Sequence, residues 1–157
     1  MCICYISAID VAIRTGDHIA AFTKAYNLAK ENITKQILEL AKHKPTPSIS
    51  YNNSIYTQVI ADGHQQGYIG IAFQNAFYHL LNTNPIDGFS KVMKDTIYLG
   101  GDTDTNACIA GALYAACHGY ENWCNTIMTF FSDKNRVKLY EPLDHQNVLL
   151  MLKKNLN

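Results

Sequence analysis

The stretch "LGGDTDTNACIAGALYAACHG", residues 99–119, carries the clearest structural signal in this chain. Two glycines lead into two aspartates, each followed by a threonine, and a segment rich in alanine comes next. The segment predicts a helix from about Thr103 to His118. Gly119 is expected to end this helix, because glycine readily adopts the left-handed conformation found at helix C-termini.

Two interpretations of the aspartates follow from their position. On a regular helix Asp102 and Asp104 would point about 200° apart, so they can meet at one ion only if a turn comes first. Gly100 and Gly101 permit such a turn, since glycine tolerates positive φ. The two carboxylates and the Thr105 hydroxyl would then offer the hard oxygen ligands that Mg²⁺, Ca²⁺ or Mn²⁺ prefer. The alternative is helix capping, in which Asp and Thr oxygens accept bonds from free backbone N–H groups.

A calcium-binding EF-hand loop is excluded by two positions. The segment "DTDTNACIAGAL", residues 102–113, begins with the D-x-D-x-N pattern of such loops. However, Ala107 stands where the sharp turn needs glycine, and Leu113 stands where a bidentate glutamate belongs. The choice therefore remains between a helix cap and another kind of metal site.

The N-terminal region predicts two further helices. Residues 3–14 suit a buried helix that ends at Thr15-Gly16, and Asp17 can cap the helix that follows. This second helix is predicted to be long, because apolar residues recur at three- and four-residue steps. These residues are Ile19, Phe22, Tyr26, Ala29, Ile33, Ile37 and Leu40.

The remainder of the chain also has helical patterns. Prolines in residues 43–53 break the long helix. Helices are then predicted after Gly67-Tyr68 up to Asn84-Pro85, from about Asp87 to Tyr98, and in the short segments 121–131 and 145–155. No strand alternation persists and no repeat is present. The sequence thus predicts an all-α protein with a single domain over residues 1–157.

Composition excludes several classes of protein. Thirteen basic residues balance thirteen acidic ones, so no broad field attracts nucleic acid or an anionic membrane. The apolar N-terminus is interrupted by Asp10 and Arg14, which is atypical of a signal peptide or membrane span.

The five cysteines lack C-x-x-C spacing and predict reduced thiols in a cytoplasmic protein, with Cys108 and Cys117 in the core. Zinc binding is not expected, because the histidines are scattered.

The segment "LGGDTDTNACIAGALYAACHGY", residues 99–120, resembles the C-terminal signature of the ADP-ribosylglycohydrolases. Residues 67–105 have the order of that family: a Gly-aromatic step, a helix, a short acidic turn, a second helix and the double glycine. The segment "HGYENW", residues 118–123, is similar to the family's glycine followed shortly by tryptophan, although the usual proline between them is missing. The resemblance covers about residues 3–130.

The resemblance implies an all-α, orthogonal multi-helix fold and a hydrolase activity. In that family two Mg²⁺ ions, which Mn²⁺ can replace, lie where the ribose of ADP-ribose binds, and the bond between ADP-ribose and a side chain is hydrolysed. By position, Asp102, Asp104 and Thr105 would be metal ligands. Asp104 would be the best catalytic candidate, because it would touch both ions and support the attacking water.

The resemblance also implies substrate contacts. The backbone at Gly100 and Gly101 would approach the sugar, and Tyr68 would line the nucleotide side of the cleft. The expected substrate is an ADP-ribosylated protein or another ADP-ribose conjugate, with no nucleic-acid or membrane partner.

Two motifs of the family's N-terminal region are missing from this chain. A G-D-x-x-G step and a T-D-D-T-like run supply further ligands in the family, and neither is present here. The resemblance therefore implies that the chain corresponds to the C-terminal portion of the fold, truncated at its N-terminus. Its site would then need a separately encoded N-terminal half or self-association. The alternative is a non-catalytic α-helical module that binds a nucleotide or a protein.

Overall fold

The computed structural model describes residues 1–45, 48–49, 59–60 and 66–119. The segment Met1–Gly119 is one compact unit, and the second unit, Tyr120–Asn157, lies outside the described residues. The helices predicted for 121–131 and 145–155 fall in that second unit, so they and the single-domain prediction stay predictions. Of the helices in the described ranges, none is long and apolar enough to cross a lipid bilayer.

Six helices and one pair of very short strands make up the described part of the chain. In order they are α1 (Cys2–Thr15), α2 (His18–Leu28), α3 (Asn32–Leu40), β1 (Ser48–Ile49), β2 (Val59–Ile60), α4 (Ile69–Asn82), α5 (Gly88–Tyr98) and α6 (Thr103–His118). The antiparallel pair matches Ser48 with Ile60 and Ile49 with Val59. A pair of two residues per strand was not expected from the sequence, but the predicted all-α class is confirmed.

The junction between α1 and α2 forms as the local sequence predicts. Gly16 adopts a φ of 65°, and its N–H donates to the Ala12 carbonyl over 2.8 Å. The Asp17 carboxylate then accepts hydrogen bonds from the N–H groups of Ile19 and Ala20, at 2.9 and 3.0 Å. Glycine thus ends one helix and an aspartate cap begins the next.

The prediction of one long helix after Asp17 is wrong. The chain leaves the helical conformation at Ala29, with ψ at 102°, and Glu31 is extended before α3 begins. An uninterrupted helix over residues 18–40 would be about 35 Å long. The break instead lets α2 pack mainly on α1 while α3 packs on α4. The apolar periodicity does mark buried helical faces. One part of it belongs to α2 and the other part to α3, and these two helices pack on different neighbours.

The core is built around α4 and α6, which pack against each other. Every residue of α4 from Gly70 to Phe77 is buried, and the Phe73 and Phe77 rings lie 4.7 Å apart, as expected for core aromatics. α6 also contacts α5, and Gly111 permits this approach: a Cβ there would lie 2.9 Å from Cζ of Phe89. α6 therefore packs against α4 and α5, and it contacts α1 as well.

The four described cysteines are free, and two of them correct the sequence-based expectation. Cys108 is exposed, because α6 buries its opposite face through Ala107, Ala110 and Tyr114. Cys117 is only partly buried, and its thiol lies 3.2 Å from the Gly16 carbonyl. Neither thiol belongs to the centre of the core.

α1 packs one face in the core and carries exposed aliphatic side chains elsewhere. Ala8 and Ala12 are buried in the core. On other sides of the helix the side chains of Ile3, Ile6 and Ile13 are 73%, 65% and 58% exposed. The helix therefore exposes several large aliphatic side chains.

Candidate functional site

The site begins with a turn made by two glycines between α5 and α6. Gly100 and Gly101 have φ values of 86° and 76°, which other residues rarely adopt. The N–H of Gly100 donates to the Ile97 carbonyl at 3.1 Å, and the N–H of Thr103 donates to the Gly101 carbonyl at 2.9 Å. These bonds close α5 and start α6 within a few residues, as expected for the double glycine.

Asp102 holds the capping position of α6 but does not cap it with its side chain. Its backbone carbonyl accepts the first helical bond, from the N–H of Asn106 at 2.9 Å. Its carboxylate accepts no cap hydrogen bond, unlike that of Asp17 at the start of α2. The capping interpretation therefore does not describe the Asp102 side chain, and its carboxylate is left for another contact.

That contact is with Asp104, in the first turn of α6. A hydrogen bond with the Asp102 carboxyl is the main cause that lowers the pKa of Asp104, and the backbone N–H groups of Thr105 and Asp104 add to it. The positive end of the helix also favours negative charge at this point. The glycine turn thus brings the two aspartates together, which a regular helix could not do.

Thr105 follows directly and is exposed, as is Asp104. Two carboxylates and a hydroxyl are hard oxygen donors, so their chemistry fits one side of a Mg²⁺ site. Within residues 1–45 and 66–119, no group of three or more His, Cys, Asp or Glu side chains is placed to hold a metal. The remaining ligands of such an ion would have to be water, substrate or other protein groups.

Tyr68 occupies the residue before α4 and is half-buried against the core. Its ring lies across Gly70: a Cβ at that position would collide with the ring and lie 2.9 Å from Cδ1 of Ile37. The glycine thus lets the aromatic ring pack at the start of α4. The predicted contact of Tyr68 with a nucleotide stays a prediction.

A second polar region lies on α4, and it was not expected from the sequence. Asn75 and His79 are 2% and 1% exposed, although they stand in an apolar helix. Their spacing of four residues places them on one face, and that spacing was the available signal. They line a groove that is described further below.

Comparison with known proteins gives one match. The model of the ADP-ribosylglycohydrolase family matches residues 1–135 of the 157 in the chain. No curated protein matches the chain, and no solved structure does.

Proposed function

Since this chain belongs to the ADP-ribosylglycohydrolase family, we propose that it takes part in Mg²⁺-dependent hydrolysis of the glycosidic bond between ADP-ribose and a protein side chain. One observation carries the metal-binding part: the carboxyl of Asp102 makes no cap bond and instead contacts that of Asp104. Two carboxyls side by side repel each other once ionised, and a cation between them would relieve this repulsion.

The exposed end of α6 supplies the proposed functional groups. Asp102, Asp104 and the Thr105 hydroxyl would hold the ion, which supplies Lewis-acid chemistry when bound. With a pKa below the usual value, Asp104 is ionised near neutral pH, so its oxygens can bind a cation or accept a hydrogen bond. Gly100 and Gly101 have no side chain to obstruct a sugar that approaches the turn.

The proposal includes a contribution from outside the described residues. Mg²⁺ takes about six oxygen ligands, and the start of α6 offers three side chains. Waters and ribose hydroxyls can fill some positions. We expect additional carboxylates, which complete the site and assist bond cleavage, to come from beyond the described residues of this chain, from a second polypeptide or from a second copy of the chain.

The test compares Asp102→Asn and Asp104→Asn with Asp87→Asn. Asp87 is a matched control, because it is an exposed aspartate that directly precedes a helix and, like Asp102, makes no cap hydrogen bond with its side chain. Calorimetric titration of the full chain with Mg²⁺, with and without ADP-ribose, measures the site directly. Saturating Mg²⁺ should also raise the free energy of unfolding of the wild type and of Asp87→Asn. The increase is about 2.7 kcal/mol when the ion is at about 100 times its Kd.

Release of ADP-ribose from modified arginine and serine peptides measures the reaction. Activity should require Mg²⁺, disappear with EDTA, and fall in both site variants but not in Asp87→Asn. If Mg²⁺ binds without turnover, the chain retains the site without the reaction. If neither binding nor turnover responds to the site variants, the metal assignment of Asp102 and Asp104 is wrong, and a non-catalytic module is the better description.

A further inference from the structure

A groove of about 310 Å³ lies beside α4 and α5, and neither Asp102 nor Asp104 is among its described lining residues. Its walls combine aromatic, aliphatic and polar side chains. They are Lys44, Pro45, Asn75, Tyr78, His79, Asp95, Tyr98 and Leu99. This volume is at the lower end of the range of small-molecule sites, which typically combine apolar walls with a few polar groups.

Asn75 supplies a hydrogen-bond donor that is not used. The residue is 2% exposed, and its Nδ2 atom has no hydrogen-bond partner among the described residues. A buried amide without a partner costs free energy, so such groups are uncommon unless a ligand or water uses them. The groove therefore contains a donor suited to an oxygen acceptor.

Lys44 supplies the positive charge of the groove. Its side chain is exposed at the groove, and no carboxylate among the described residues forms an ion pair with it. Among the described lining residues the one carboxylate is that of Asp95, and it is paired with Lys91 at 2.8 Å. Lys44 is therefore the charged lining residue without an ion pair among the described residues, and it can attract an anion.

The other polar side chain on the wall carries no charge at neutral pH. Burial lowers the pKa of His79 to about 4, despite the opposing effect of Asp95. Its Nδ1 lies 2.8 Å from the Thr83 hydroxyl, which occupies that nitrogen. Nδ1 of His79 is thus not available to a ligand, whereas Nδ2 of Asn75 and Nζ of Lys44 are.

The apolar part of the groove wall suits the planar ring of a ligand. The Tyr98 side chain is 86% exposed, and the ring of Tyr78 lies edge-on to His79 with centroids 5.0 Å apart. Pro45 and Leu99 add aliphatic surface. Aromatic faces of this kind stack favourably on a planar ligand.

We propose that this groove is a second binding site, for a small planar carboxylate. The ring of the ligand would lie between the tyrosines, and its carboxylate would accept hydrogen bonds from Asn75 Nδ2 and Lys44 Nζ. None of the lining residues belongs to the proposed metal site, so this proposal does not depend on the reaction proposed above.

Benzoate is the probe for this site, with benzamide and acetate as its neutral and ringless counterparts. Amide chemical shifts of the ¹⁵N-labelled full chain report where each probe binds. Benzoate should shift the amides of Asn75 and Tyr98 at millimolar concentration and bind about tenfold more tightly than benzamide. Acetate and inorganic phosphate should produce weaker shifts, because they lack the ring.

Three variants locate the contacts. Asn75→Leu and Lys44→Gln should each weaken benzoate binding about tenfold. Lys94→Gln is the matched control, because Lys94 is an exposed lysine on α5 that does not line the groove, and its Kd should match the wild type. Lys44 is exposed, so its variant keeps the test valid if Asn75→Leu does not fold. Benzoate that leaves the groove amides unshifted, Lys44→Gln that binds like wild type, or phosphate that binds as tightly as benzoate would each overturn the proposal.

Discussion

Acid should destabilise this protein through His79, which is buried in the neutral form. The residue is 1% exposed, its Nδ1 lies 2.8 Å from the Thr83 hydroxyl, and burial lowers its pKa from 6.5 to about 4. The charged groups that act on it come from α5: Asp95 raises the pKa and Lys91 lowers it. Because these two form an ion pair, their effects partly cancel and burial dominates.

The sign and size of the effect follow from linkage. Between pH 6.5 and about 4 the unfolded chain binds a proton at this residue while the folded chain does not. The stability that neutral His79 contributes is therefore complete above pH 6.5 and is lost as the pH falls toward 4. At about 1.4 kcal/mol per pKa unit, the loss is about 3 kcal/mol.

Urea denaturation at about pH 7 and about pH 4 measures this loss. In His79→Gln, which cannot titrate, the decrease in unfolding free energy should be smaller than in the wild type by about 3 kcal/mol. His43→Gln serves as the control, because His43 is exposed, and it should behave like the wild type. Equal acid sensitivity of the wild type and His79→Gln would show that the buried histidine is not the cause.

Four other substitutions test the architecture in urea denaturation without divalent cations. Gly111→Ala should lower the unfolding free energy by about 1–3 kcal/mol, because its Cβ would lie 2.9 Å from Cζ of Phe89; an unchanged midpoint would mean that α5 does not pack so closely. Asp17→Ala should lower the unfolding free energy by about 1 kcal/mol, because the cap of α2 is lost, whereas Asp102→Ala should lower it clearly less. Equal decreases would contradict the finding that Asp17 caps its helix with its side chain and Asp102 does not. Gly100→Ala should lower the unfolding free energy by about 1–2 kcal/mol, because φ is 86° at this position. Calorimetric titration of the same variant should also show weaker Mg²⁺ binding. An unchanged unfolding free energy would argue against the strained turn.

Much of the candidate site was predictable, because its signals are local. The double glycine indicates a turn, and the turn allows neighbouring aspartates to converge at the start of a helix. The free carboxyl of Asp102 was less accessible to prediction, because aspartate at that position usually caps the helix. Only the conformation of the turn decides whether that side chain reaches the backbone or its acidic neighbour.

The groove on α4 shows the limit of local patterns. Asn75 and His79 are two polar residues in an apolar helix, and their sequence positions say nothing about what faces them. The charge that surrounds them in the groove depends on Lys44 and Asp95, which come from other parts of the chain. Charge balance at such a site is a property of the packed structure.

The sequence by itself determined the all-α class, the family resemblance, the ends of α1 and α6, and the turn that joins the aspartates. These features depend on backbone preferences of glycine and on caps within a few residues. Tertiary structure decided the break between α2 and α3, the exposure of Cys108 and the composition of the groove. Helical periodicity records that a face is buried, but it does not record which neighbour buries it, because that depends on segments distant along the chain.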